Sequence, residues 1–311
     1  MLSFAIRRIL QTIPTVLAVV LVIFVLFSVV PGSIVSSMND DGRGPVDLAV
    51  VERMKKQLGL DDPVYVRFGK YVSKLAVGDF GTSFRTREPV TTMIAKRMWP
   101  TLQLIFASMM FAIVIGVPLG FVAALRPGGI VDTVSMVVAV SGLSMAKFWL
   151  GLLLMYLFAL KLGWLPSFGY GDGGGKYLIL PAVTLGVSPM ALLARTTRAA
   201  VLEIMTADFV RTARSKGMSE TRVLKWHVMR NVLVIILTAI GLQFGALMGQ
   251  AVVVEKLFSW PGIGSLLVDS VLQRDIPAVQ GSILVVVMFF LTINVLVDLL
   301  YGVIDPRIRY A

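Results

Sequence analysis

One glycine-rich run has part of the composition of a nucleotide-binding loop. Such a loop reads Gly, four residues, Gly-Lys and then Ser or Thr, so that backbone amides surround the phosphates while the lysine and the hydroxyl complete the site. In the run 170–177, Tyr170 stands where the first Gly belongs and Tyr177 where the hydroxyl belongs. We therefore predict a flexible turn here and no nucleotide-hydrolysing site in this chain.

Residue types that perform metal and covalent chemistry are nearly missing. The chain has no Cys and a single His, His227. Thiolate ligands and paired imidazoles are the usual basis of disulfide frameworks, zinc sites and activated nucleophiles. We predict no catalytic residue, no metal site and no resident cofactor.

Three polar side chains interrupt long apolar runs, where polar groups are costly and usually face a cavity. Lys147 either lines a solute pathway or extends its ammonium to the cytoplasmic edge of a membrane. Gln243 and Gln250 lie seven residues apart, on one side of a helix, within bonding reach of a passing peptide backbone. These three are candidate pathway residues.

The most basic stretch is the segment 201–230, called the basic loop below. Eight Lys or Arg and three Asp or Glu lie between Arg195 and Arg230. Phe209 to Ser215 is predicted to form a short helix that Gly217 ends, and Ser219 is placed to begin a second helix. Two short helices around a glycine suit a surface that projects from a membrane. The alternative is a basic amphipathic helix that lies on lipid.

The elements that carry these residues are long apolar runs that lipid must solvate. Hydrophobic residues make up 57% of the 311 residues, charged residues 15%, and the mean hydropathy is +0.84. An apolar stretch of about 20 residues crosses a bilayer only as a helix. The first run, residues 1–30, approaches that length, so we predict a retained span and not a removable signal. The third run, residues 135–162, is longer than a straight crossing requires, so we expect a tilted or broken helix. The six runs are 1–30, 101–125, 135–162, 178–200, 232–254 and 282–303.

Charge distribution gives the expected orientation. Short loops rich in Lys and Arg stay in the cytoplasm, which places the basic loop and both termini inside, and the loops 163–177 and 255–281 outside. The formal charge of +11 lies mainly between apolar runs. We therefore expect contact with membrane lipid and no nucleic-acid binding.

The predicted organisation is an all-α membrane protein with a small external domain. Residues 1–30 form the first span and residues 31–99 the external domain, with helices expected over 45–58 and 64–75. Residues 100–304 form the transmembrane core, which includes the basic loop, and 305–311 a cytoplasmic tail.

The basic loop resembles a known family. Arg211-Thr212-Ala213-Arg214-x-Lys216-Gly217, with His-x-x-Arg-Asn beginning ten residues after the Gly, is similar to the cytoplasmic coupling loop of dipeptide and oligopeptide importer permeases. The resemblance extends over nearly the whole chain. Where the family commonly has Ser-x-Pro-x-Phe-Trp, this chain has no proline over 144–149. Further shared motifs lie at 7–9, 14–15, 58–63, 78–83, 100–102, 116–120, 258–264, 274–281 and 294–309.

The resemblance implies a type I ABC importer permease fold (MetI-like) with six transmembrane helices in a bacterial inner membrane. It implies a second homologous permease, two ATP-binding subunits that bind ATP and Mg, and an extracytoplasmic peptide-binding protein. The implied cargo is dipeptides or oligopeptides, with nickel chelates or glutathione as alternatives. A proton-driven secondary transporter fits less well, because no internal repeat or convincing midplane carboxylate is present.

Two sets of site residues follow from the resemblance. Positions 209, 213 and 217 recur every four residues on one helical face. In the external loop 258–281 the resemblance implies a gate-like re-entrant segment with an exposed aromatic pair, while the alternative is an interfacial helix anchored by Trp260. The expected ATPase-docking residues are Phe209, Thr212, Ala213 and Gly217, with Arg211, Arg214 and Lys216 as rim charges. The expected gate residues are Phe258, Trp260 and Pro261.

Overall fold

The computed structural model describes residues 2–29, 62–171 and 175–304. Within these ranges the regular elements are helices, and residues 82 and 89 form an isolated β-bridge. The helices are α1 Leu2–Val29, α2 Val64–Ala76, α3 Val90–Phe111, α4 Val117–Leu125, α5 Ile130–Ser144, α6 Lys147–Leu154, α7 Lys176–Met205, α8 Asp208–Ser215, α9 Glu220–Arg222, α10 Met229–Leu257, α11 Ile263–Leu272 and α12 Ile276–Ile304. The π-helical segments are Ala112–Gly116, Met155–Lys161 and Val223–Val228.

The described helices support the predicted six spans. Five are long and apolar enough to cross a membrane, and a sixth results if α5 and the helix 147–161 form one bent span. The bend is 111° and lies at Met145 and Ala146, whose backbone is extended. Ser144 Oγ donates to the Val140 carbonyl at 3.0 Å in the last turn of α5. The third span is therefore broken, as expected, without a proline.

The helix that contains the second predicted span begins before that span. A continuous helix extends from Val90 to Leu125, whereas the apolar run was placed at 101–125. The polar residues before position 101 belong to the same helix, so the predicted start of the core at residue 100 does not mark a change of structure. The π turn Ala112–Gly116 precedes Pro118, which lacks an N–H and disturbs the regular bonding pattern of the helix before it.

Helix α7 lies at the centre of the fold and contacts α3, α4, α5 and α10. Two glycines allow α4 and the π turn before it to approach α7 closely. A Cβ on Gly116 would lie 2.5 Å from the Met190 carbonyl oxygen, and one on Gly120 would lie 2.2 Å from that of Ala194. The backbones therefore meet at a distance that a larger residue cannot enter.

The first and last helices pack together at the edge of this core. Arg8 Nε and Asp298 Oδ2 form an ion pair at 3.4 Å, and Val20 and Ile23 share an apolar cluster with Leu284. The predicted external helix over 64–75 is present as α2, and its Phe68 ring packs on α1. The other predicted external helix, over 45–58, and the tail at 305–311 lie outside the described residues.

Candidate functional site

The short helix α8 of the basic loop lies on an apolar seat formed by its own chain. Val210 and Ala213 face inward and are 0% and 5% exposed. They join a buried cluster that includes Val201 from α7 and Val223 and Val228 from the π-helical segment. Because residues three apart share a helix face, this spacing fixes which side of α8 is buried. The opposite side is left exposed.

The end of α8 is set by Gly217, as predicted. Its φ is +74°, a conformation that favours glycine. The Gly217 N–H donates to the Arg214 carbonyl at 2.9 Å, and the Met218 N–H donates to the Ala213 carbonyl at 3.4 Å. This is the two-bond Schellman arrangement, which stops a helix and reverses the chain. Arg214 also closes this turn, because its guanidinium donates to Glu220 Oε1 at 2.6 Å. This hydrogen bond raises the pKa of Arg214.

The exposed side of α8 carries most of the predicted docking residues, with one correction. Phe209 is 44% exposed, although it is a large apolar residue. Ala213 was predicted beside it, but Ala213 is buried, because it faces the seat together with Val210, while Phe209 lies at the edge of the buried side. Sequence reasoning also missed Trp226, which is 62% exposed in the neighbouring π-helical segment. The other exposed predicted residues are Arg211, Thr212, Arg214, Lys216 and Gly217.

A second candidate site lies at the break between α5 and α6. The Lys147 ammonium donates to Gln250 Oε1 on α10. An open hollow of about 400 Å³ adjoins this pair, lined by Lys147, Phe148, Ser188, Gln250 and Val253. The structure thus brings together two of the three predicted pathway residues. Gln243 is half-buried and does not line the hollow.

The position of Gln250 along α10 bears on the two alternatives predicted for Lys147. Gln250 lies 21 residues after Met229, where α10 begins beside the basic loop, and seven before Leu257, where it ends. At a rise of about 1.5 Å per residue, the lysine is bonded about 30 Å along the helix from the basic loop. This distance favours the pathway alternative for Lys147 over the membrane edge beside the basic loop.

The loop after α10, which was predicted to be external, packs against the protein, and this corrects the expected exposed aromatic pair. Phe258 and Trp260 are 1% and 0% exposed. Trp260 Nε1 donates to the Pro100 carbonyl at 2.8 Å, and its ring meets the Tyr170 ring edge-on at a centroid distance of 4.7 Å. The aromatic residues anchor the loop to the protein, and Pro261 beside them is half-buried.

A buried carboxyl group that sequence reasoning missed holds this loop in place. Glu255, 0% exposed, accepts from Thr101 Oγ1 at 2.7 Å and from the Ser265 N–H at 3.0 Å. Thr101 Oγ1 in turn accepts from the Ile263 N–H at 2.8 Å. A Cβ on Gly262 would lie 2.2 Å from the Glu255 carboxyl carbon, so only glycine fits. The available signal was an acidic residue at the end of an apolar run, closely followed by Gly-x-Gly.

Comparison with known proteins identifies the class to which this arrangement belongs. Residues 116–310 match the family model "Binding-protein-dependent transport system inner membrane component", and residues 1–105 match "Binding-prot-dependent transport system membrane comp, N-term". The chain belongs to this family of inner-membrane transport components. It is a multi-pass permease subunit of an ABC importer, and the family is a transport component and not an enzyme. Such permeases work with a partner permease, an ATPase and a substrate-binding protein.

The similarity to individual proteins extends over the whole permease. It is 44% identical over 314 residues, with complete coverage of both chains, to the glutathione transport system permease protein GsiC of Escherichia coli (strain K12). The same identity and coverage relate it to GsiC of Shigella flexneri serotype 5b (strain 8401).

Solved structures confirm the fold. An inward-facing form of the MetNI methionine ABC transporter superposes with a TM-score of 0.58 at 20% identity, covering 68% of the permease and 96% of that chain. An amino acid ABC transporter gives 0.54 at 17% identity, covering 68% of the permease and 93% of that chain. The predicted MetI-like permease fold is confirmed.

Proposed function

We propose that this permease forms one half of an ATP-driven import pathway for short peptides, glutathione among them. The observation that carries the cargo proposal is the end-to-end similarity, at 44% identity, to permeases of glutathione transport systems. Glutathione is itself a tripeptide, so this cargo falls within the peptide class that the resemblance implied. The hollow beside Lys147 and Gln250 combines a cationic and an amide side chain with apolar walls, and a peptide carries charged and amide groups that match the two polar side chains.

Energy reaches the permease, in this proposal, through the exposed side of α8. A helix that transmits force must be rigid and must keep partner-contacting side chains on a free face. The buried seat under Val210 and Ala213 supplies the rigidity, and the Schellman turn at Gly217 fixes its end. Phe209 supplies an exposed apolar contact, and Arg211, Thr212 and Lys216 are also exposed. We propose that an ATPase subunit binds this face.

Uptake by the complete importer tests the cargo. Cells that lack other peptide and glutathione uptake systems would express the permease with its partner permease, ATPase subunits and binding protein, and would be given labelled glutathione or labelled dialanine. We expect accumulation of one or both that stops when ATP is depleted. Accumulation of neither peptide in cells that contain the assembled complex would refute the cargo proposal.

The proposed orientation places the basic loop and both termini in the cytoplasm. The absence of Cys makes the natural chain a ready background for single-cysteine labelling. Lys216→Cys in the basic loop and Lys161→Cys at the other end of the broken span are both exposed positions. A membrane-impermeant maleimide added to intact spheroplasts should label the Cys at 161 and not the Cys at 216. The reverse pattern would overturn the orientation.

A further inference from the structure

The positive charge of Lys147 has no acidic counterpart within the described part of the chain. Its bonded partner, Gln250, is a neutral amide, and none of the ion pairs between described residues includes Lys147. The amide orients the ammonium through one of its three N–H donors without neutralising it. Two donors and the full charge remain for another group.

The charge lies within the lengths of helices that cross the membrane. Gln250 is seven residues from the nearer end of α10, and Ser188 is 12 residues from the nearer end of α7. A lysine within a spanning helix is costly, and such residues typically face a cavity and mark a substrate or ion path. The hollow beside Lys147 is open, so an incoming group can reach it.

The donors around this hollow suit an anion of carboxylate size. Gln250 directs its carbonyl oxygen to the lysine, which leaves its amide N–H donors for another acceptor. Ser188 adds a hydroxyl, and Phe148 and Val253 provide apolar walls. A carboxylate offers several acceptor positions, and hydrogen bonds between an ammonium and a carboxylate are roughly twice as strong as neutral ones.

We infer that Lys147 and Gln250 form a binding subsite for a carboxylate group of the transported peptide. This inference rests on the proposed import of short peptides and adds the contact that the cargo makes within the membrane. Because Gln250 is an amide and not a carboxylate, Lys147 has no ion pair with it that must break before the carboxylate of the cargo binds.

The headgroup of an anionic phospholipid is another group that a membrane lysine can bind. Gln250 lies about 10 Å along α10 from the nearer helix end, deeper than the interface where lipid phosphates lie. A lipid contact would make the effect of Lys147 depend on the lipid mixture. A cargo contact would persist in vesicles of phosphatidylcholine alone.

The test compares three variants of the assembled importer in phosphatidylcholine vesicles, with labelled glutathione supplied with the binding protein. Lys147→Gln removes the cation, whereas Gln250→Glu keeps it and adds a competing carboxylate beside it. Lys161→Gln is the matched control, because Lys161 is exposed at the helix end above the Tyr156 ring, at 5.5 Å from its centroid. Co-purification of the ATPase and basal ATP hydrolysis show that each variant is assembled.

We expect Lys147→Gln and Gln250→Glu each to lower the uptake rate about tenfold or more, as the loss of one charge-assisted bond predicts. Lys161→Gln should stay within about twofold of the natural chain. A purely structural bond would give the opposite result for Gln250→Glu, since a carboxylate strengthens the contact with Lys147. Full uptake by Gln250→Glu, or a loss seen only in vesicles with anionic lipid, would overturn the inference. Absence of glutathione uptake by the natural chain would instead defeat the proposed cargo.

Discussion

Replacement of Thr101 by Val tests whether the Glu255 network holds the external loop. Val keeps the branched shape of Thr but removes the hydroxyl that donates to Glu255 at 2.7 Å and accepts from the Ile263 N–H at 2.8 Å. All of these groups are buried. A buried group left without a partner costs about 1–3 kcal/mol in proteins. Hydrogen bonds within membranes average about 0.6 kcal/mol, because the unfolded chain also finds partners there. For two groups we expect a loss of about 1–4 kcal/mol.

Thr184 offers a matched control within the same core. Its hydroxyl is also buried, but it donates to the Leu180 carbonyl at 2.7 Å within its own helix, and Thr184→Val leaves that carbonyl with its helical bonding. The assay is reversible unfolding of the purified protein in mixed micelles, with hydrogen exchange over residues 258–275. Thr101→Val should lower the unfolding free energy and speed exchange in the loop, while Thr184→Val changes little. Equal stability of the two variants, within about 0.5 kcal/mol, would refute the reasoning.

Three further substitutions have expected outcomes in the same unfolding assay. Gly217→Ala should cost about 1–2 kcal/mol, because φ is +74° while the added Cβ meets open space, and an unchanged stability would contradict the strain. Gly120→Ala should cost about 1–3 kcal/mol, because its Cβ would lie 2.2 Å from a backbone oxygen, whereas Gly249→Ala, with nothing within 4 Å, should not destabilise the protein. Ser83→Ala should cost about 2–4 kcal/mol, because the buried Ser83 hydroxyl donates to Asp275 and accepts from two backbone N–H groups. Its control is Ser73→Ala, because Ser73 is exposed and its hydroxyl donates only within its own helix.

The spans and the end of α8 could be predicted from the sequence because local physics determines them. Apolar length decides which segments are solvated by lipid, and a glycine that follows a short basic helix is the usual residue for a left-handed helix end. The broken third span was expected from its length alone. Its break at Met145 and Ala146 occurs without the proline that the family commonly has in this segment. Contacts elsewhere in the fold therefore keep the backbone of these two residues extended.

The remaining features depend on contacts between distant residues. Ala213 was predicted to face a partner because positions 209, 213 and 217 recur every four residues. That pattern does not reveal that residues from α7 and the Val223–Val228 segment cover one side of α8. Phe258 and Trp260 were predicted to be exposed because they lie in the predicted external loop 258–281, but Trp260 bonds to Pro100, 160 residues earlier in the chain. Glu255 was missed for the same reason.

Cysteine cross-linking between α8 and the ATPase is the most direct test of the central claim that ATP-driven motion enters through the exposed side of this helix. The cysteine-free chain permits single substitutions at Phe209, which is 44% exposed, and at Ala213, which is 5% exposed because it faces the buried cluster under the helix. In the assembled importer, Phe209→Cys should cross-link to a cysteine placed on the ATPase surface, with a yield that changes when ATP binds, whereas Ala213→Cys should not. Cross-linking through position 213 alone, or a yield at position 209 that ATP does not alter, would contradict the claim.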